Sequence, residues 1–232
     1  MTLVEEYNNH NGLSEKRKFI HSLIFPTLFL ILIWIVKITE VEFGLDLYYF
    51  GIYPLKLKGL IGILAAPLIH SDFNHLIDNS IALFILSVAV FYFYRPIPYK
   101  VFFLSYLLTG IWVWFGGRSA YHIGASGLIY GLASFLFFSG IIRRDIRLMA
   151  ISFLDVFLYG HLIWGIFPVK PNISWESHLW GGVAGLILAV YYREYGPQRK
   201  KYEWEDEEGD EDEQDNGEND GGEQKFSGNT KL

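Results

Sequence analysis

The sequence predicts an all-α fold, a polytopic membrane protein whose six transmembrane helices form one bundle. Three observations predict it. At 51% hydrophobic and 18% aromatic residues, the 232-residue chain is too apolar for an ordinary soluble domain. Its apolar residues fall into runs of about 17–22, each able to cross or nearly cross a hydrocarbon layer as a helix. The charges are also segregated: 13 acidic residues and no basic one lie between Glu203 and Glu223, whereas the part up to Lys201 carries 17 basic against 12 acidic residues. The net charge of −6 therefore hides a basic membrane part and an acidic tail.

Taken in order, residues 1–18 are a polar segment ending in Lys16, Arg17 and Lys18. The first helix is expected from Phe19 to Val36, bent at Pro26; it lacks a small-residue cleavage site and reads as a retained span rather than a signal peptide. Lys37 to His70 is broken up by Gly44, Gly51, Pro54, Gly59 and Pro67 and reads as a connector, with Phe43, Tyr48, Tyr49, Phe50 and Tyr53 suited to headgroup depth. The second helix is expected at Phe73–Tyr94, followed by a tight link through Pro96 and Pro98 to a third at Tyr99–Phe115. The fourth is expected at Ser126–Ile142, the fifth at Leu148–Phe167 and the sixth at Glu176–Tyr192. The membrane domain thus covers 19–195. Residues 196–232 cannot build a core and are expected to be a disordered, solvated acidic tail.

Basic residues set the orientation. In a six-helix arrangement twelve Lys and Arg fall on one side and Lys56, Lys58, Arg118 and Lys170 on the other, which predicts that both termini are cytoplasmic. His75 with Asn79, Ser126 and His178 then all lie at outer helix ends, where they can converge. Each group is roughly 16 residues, or about 24 Å of helix, from an arginine at the inner side, so it sits several ångströms below the outer surface.

Polar groups at that depth are costly alone and are expected to face the bundle interior and one another. They can act simply as hydrogen-bonding glue between helices, and Gly127 with Gly131 and Gly181 with Gly185 each make a small-xxx-small ridge that brings helices close without any chemistry. Close approach of the fourth and sixth helices would also bring Ser126 within reach of His178. The chain has no cysteine, which excludes a disulfide framework, a thiol nucleophile and a thiolate metal site, and it lacks the His-Glu-x-x-His zinc pattern. His70 and His122 read as loop or rim residues. Asp78, Asp155 and His161 read as structural groups satisfied by partners, with a proton pathway as the alternative.

Gly124-Ala125-Ser126-Gly127 with Tyr130, His178 followed by Gly181 and Gly185, and His75 with Asn79 at the head of the second helix together resemble the rhomboid intramembrane serine proteases. The resemblance covers about His70 to Arg193. It implies Ser126 as nucleophile, His178 as general base, Asn79 and His75 as oxyanion donors with the Ser126 N–H, and Tyr130 as the group that orients His178. It further implies cleavage of transmembrane protein substrates near the outer membrane face, in a plasma membrane of bacterial type. The expected partners are those substrates and the lipid bilayer, with no nucleic acid, no cofactor and no metal. The first long loop lacks the Trp-Arg pair of some members; Glu42-Phe43 and Gly44-Leu45-Asp46 stand there instead. Two other readings remain open at this level: a non-catalytic rhomboid-like client-binding protein, and a proton-coupled transporter using Asp78, Asp155 and the histidines.

Overall fold

A computed structural model describes the backbone of residues 3–158 and 174–197, and within them the side chains of residues 14–153 and 174–197. The side chain of Asp155, and His161, Lys170 and the acidic tail, lie outside the described residues. The bundle is built from α1 (Leu3–Glu42), α2 (Phe73–Phe93), α3 (Pro98–Gly116), α4 (Ser126–Arg143), α5 (Ile146–Leu158) and α6 (Trp175–Tyr191). Among the described residues, Ser14–Glu42, α2, α3 and α4 are long and apolar enough to cross a membrane. The chain is an integral membrane protein.

Four of the six expected helices, α2, α3, α4 and α6, begin and end within one residue of their predicted bounds. Local chemistry explains why. Asp72 caps α2 by accepting the His75 backbone N–H at 2.9 Å. Pro98 opens α3 at a position where a missing N–H costs nothing. Arg144, in the left-handed region at φ 55°, closes α4. Ser174 caps α6.

α1 departs from expectation. It starts sixteen residues before Phe19 and ends six after Val36, with Pro26 inside it. Its C-terminal end runs past Val36 because the first helix breaker is Gly44, and Lys37 stays inside the helix with its ammonium bonded within the bundle. For α5, the expected Leu148–Phe167 is described only as far as Leu158.

α4 is the central element and packs against α2, α3, α5 and α6, while α1 lies along α2. The α4–α6 contact is the closest in the bundle because glycines face each other. A Cβ on Gly181 would run into the Gly127 carbonyl oxygen, and one on Gly185 into that of Gly131. At the other end of this pair the Arg143 guanidinium donates to the carbonyls of Tyr192, Arg193, Tyr195 and Pro197, gathering the chain that leaves α6. An aromatic cluster of Phe25, Phe29, Phe91, Tyr99 and Phe102 locks α1 to α2 and α3 through edge and stacked ring contacts.

The connector between α1 and α2 is ordered by pairs distant in sequence. Ile52 and His122 exchange both backbone hydrogen bonds at 2.9 Å, Leu55 donates to the Trp114 carbonyl at 3.0 Å, and the Tyr106 hydroxyl donates to that of Leu64. Phe43, Tyr48, Tyr49 and Phe50 are exposed, and Tyr53 is half-buried.

Candidate active site

Two helix starts meet at the centre of the site. Ser126 is the first residue of α4 and His178 lies on the first turn of α6. The His178 Nε2 stands 2.9 Å from Ser126 Oγ, within hydrogen-bond reach. His178 is 7% exposed, whereas Ser126 is half-buried, so the ring is shielded and the hydroxyl remains approachable. Tyr130, one turn along α4, stacks on the imidazole with centroids 4.2 Å apart and planes within 10°. That stacking fixes the plane of the ring while leaving its edge directed at Ser126.

The segment before Ser126 is shaped by Gly124. Its φ of +101° suits glycine alone, and a Cβ there would lie 2.8 Å from His75 Cε1 and 3.6 Å from Asn79 Nδ2. His75 and Asn79, one turn apart on α2, therefore face the same short stretch of backbone that leads into Ser126. Asn79 is 8% exposed, and its Nδ2 makes no hydrogen bond within the described residues. A buried amide donor without a partner is costly unless something accepts from it. The Ser126 N–H, on the first turn of α4, also has no acceptor within its own helix. Asn79 Nδ2 thus faces Gly124, two residues before Ser126.

The structure brings Ser126, His178, Tyr130, His75 and Asn79 together, and sets Gly127 and Gly131 against Gly181 and Gly185. It corrects one expectation, for Asp78, and sharpens two. His70 lies in a loop, as expected, but is buried there: it is 1% exposed, and its Nε2 accepts the Ala125 N–H at 3.4 Å, directly behind the candidate nucleophile. Burial, helped by the field of His75, pushes its imidazole down to about 3, so it stays neutral and free to accept. His122, also in a loop, is 2% exposed and bonded on both ring nitrogens. Both sit in loops, which is why they read as peripheral, yet these loops fold inward over the helix ends. Asp78, by contrast, lies exposed on α2 rather than buried against a partner, because the helix phase that turns His75 and Asn79 inward turns it outward.

Lys37 and Glu176 were missed. The Lys37 ammonium, 6% exposed, donates to the His70 carbonyl at 2.9 Å, the Ser71 carbonyl at 3.1 Å and Glu40 Oε2 at 2.8 Å, so α1 holds the His70 loop in place. Glu176, 2% exposed, accepts the Arg118 backbone N–H at 3.3 Å and lies 3.6 Å from its guanidinium. In the sequence each is a single charge beside a helix end, indistinguishable from an ordinary solvated residue.

Known proteins match this chain. Residues 58–195 match the Rhomboid domain. An uncharacterized protein of Mycobacterium tuberculosis is 33% identical over 181 residues, covering 74% of this chain and 75% of its own. An uncharacterized protein of Mycobacterium leprae is 31% identical over 194 residues, covering 74% and 71%. The "Putative rhomboid protease YdcA" of Bacillus subtilis is 28% identical over 130 residues, covering 53% and 62%. With the domain match spanning the helices that carry Ser126 and His178, the chain belongs to the rhomboid family.

Proposed function

We propose that this protein is an intramembrane serine endopeptidase that cleaves transmembrane protein substrates near the outer face of the membrane. The observation that carries the reading is the 2.9 Å approach of His178 Nε2 to Ser126 Oγ, with the buried Asn79 Nδ2 facing nearby Gly124 and without a hydrogen bond among the described residues. Neutral His178 takes the Ser126 proton as Oγ attacks the peptide carbonyl, then delivers it to the leaving amine as the C–N bond breaks. Water, deprotonated by the same imidazole, then attacks the acyl-enzyme ester, and Ser126 recovers its proton. The negative charge on the tetrahedral oxygen is met by the Asn79 amide, the His75 ring and the Ser126 N–H, aided by the positive end of α4. Tyr130 acts as a positioning residue through its stack on His178.

The basic-residue pattern supports cytoplasmic termini, and the bacterial relatives support a plasma-membrane location. Fluorophosphonate labelling of the detergent-solubilised protein tests the reading. Label on the parent, and its loss in Ser126→Ala and His178→Ala, is the expected outcome. A folded parent that neither takes label nor cleaves a transmembrane substrate overturns it.

A further inference from the structure

Four residues before Ser126 stands His122, and four residues before His178 stands Ser174. Their side chains meet: His122 Nδ1 lies 2.6 Å from Ser174 Oγ. On its other edge, His122 Nε2 lies 3.1 Å from the Arg118 carbonyl, which can only accept, so Nε2 carries a proton. Burial holds this ring below the usual imidazole range, against the opposing pull of the Arg118 carbonyl and the Glu176 carboxylate. In the neutral ring Nδ1 is then an acceptor, and Ser174 donates to it. The Ser174 oxygen in turn is 2.6 Å from Ser177 Oγ and accepts the Ser177 N–H at 3.3 Å, which begins α6. Ser177 packs against Gly127, the residue after Ser126, with its carbonyl oxygen 3.1 Å from where a Cβ of Gly127 would be. Arg118 and Glu176 join the same two segments a second time.

We propose that the His122–Ser174 pair is a second crosslink between the loop that leads into α4 and the cap of α6, and that it sets the distance between Ser126 and His178. His122 and Ser174 are positioning residues, and this rests on reading Ser126 and His178 as nucleophile and base. The physical reason is leverage. Each helix start is fixed at two points four residues apart, so neither Ser126 nor His178 can drift without breaking a buried hydrogen bond. The Arg118–Glu176 contacts and the glycine packing limit how far the helix ends part, and the His122–Ser174 bond restrains the freedom that remains, the tilt of Ser126 toward His178.

The test is the rate of fluorophosphonate labelling in the full-length, detergent-solubilised protein. The parent is compared with Ser126→Ala, Ser174→Gly, Ser174→Thr, His122→Phe and the His122→Phe/Ser174→Gly double variant, with thermal unfolding followed for each. Glycine caps a helix nearly as well as serine, so Ser174→Gly separates loss of the crosslink from loss of the cap. Ser174→Gly and His122→Phe are each expected to slow labelling about 10- to 100-fold, the effect of misplacing a reacting group by an ångström or less. The double variant is expected to be no slower than the slower single one, because both remove the same contact. Ser174→Thr, which keeps the hydroxyl, is expected to label within about threefold of the parent. Parental labelling of a folded Ser174→Gly, or losses that multiply in the double variant, overturns the proposal. A parent that labels no better than Ser126→Ala is a different failure: it overturns the nucleophile assignment itself, before any crosslink variant is read.

Discussion

Replacing Gly181 with alanine adds one carbon atom at one of the two tightest points between α4 and α6, the one nearer Ser126 and His178. The new Cβ would occupy the space of the Gly127 carbonyl oxygen and also sit 3.2 Å from the Tyr130 Cβ. Both neighbours are fixed, one by helix backbone and the other by its stack on His178, so neither can swing aside. Relief requires the two helices to part by roughly 1 Å, to restore ordinary van der Waals separation. Overpacking of this kind costs about 1–3 kcal/mol, which lowers the melting temperature of the solubilised protein by several degrees. The effect on chemistry is of similar size in free energy, about 2.7 kcal/mol for a 100-fold loss. A 1 Å parting carries the 2.9 Å Ser126–His178 approach beyond hydrogen-bond range, and misplacement of that size costs about 100-fold in rate. Fluorophosphonate labelling rates and thermal unfolding of Gly181→Ala against the parent measure both quantities. Gly182→Ala is the control, since a Cβ there meets nothing within 4 Å. If Gly181→Ala labels and melts like Gly182→Ala, the argument that glycine contacts set the site's geometry is wrong.

Three further outcomes follow from the same structure. Asn79→Ala removes a buried donor from the candidate oxyanion region and is expected to lower substrate turnover about 100- to 1000-fold with little change in melting temperature; unchanged turnover would remove Asn79 from the mechanism. Lys37→Met strips the His70 and Ser71 carbonyls and Glu40 of their buried cation and is expected to destabilise the protein by about 3–5 kcal/mol, read as a large drop in melting temperature; a parental melting curve would count against the staple. His70 titrates near 6.5 when unfolded and near 3 when folded, so below pH 6.5 the unfolded chain binds the extra proton and stability falls as pH drops. The loss amounts to about 1.4 kcal/mol per pH unit down to pH 3, measured as a pH-dependent melting temperature that flattens in His70→Gln.

Four helices were legible because the bilayer forces apolar runs to be continuous and because Pro96 and Pro98 mark a break between two of them; the capping by Asp72 and Ser174 emerges only in the structure. The meeting of Ser126 with His178 was legible for a related reason. Once both are placed at outer helix starts and glycine ridges are placed below them, geometry leaves few other partners. The connector was not legible, since Ile52 depends on His122 and Leu55 on Trp114, pairings about 60–70 residues apart that leave no local period. His70 and His122 read correctly as loop residues, but their burial was not legible, because a histidine in a loop carries no mark of it. Lys37 shows the same limit from the other side: at the end of a span a lysine reads as an interfacial anchor, and only the His70 and Ser71 carbonyls reveal that it points inward.

The grip of Arg143 on the carbonyls that follow α6 has a mechanical meaning. α6 is held to α4 at one end by that guanidinium and at the other by the contact around Ser126 and His178, with glycine-to-backbone contact in between. Clamped at both ends, the pair can neither slide nor twist, and it behaves as the fixed jaw of a vice. If Ser126 is the nucleophile proposed above, room for a polypeptide there is to be sought on the opposite side, at α2, α5 or the connector, rather than between α4 and α6.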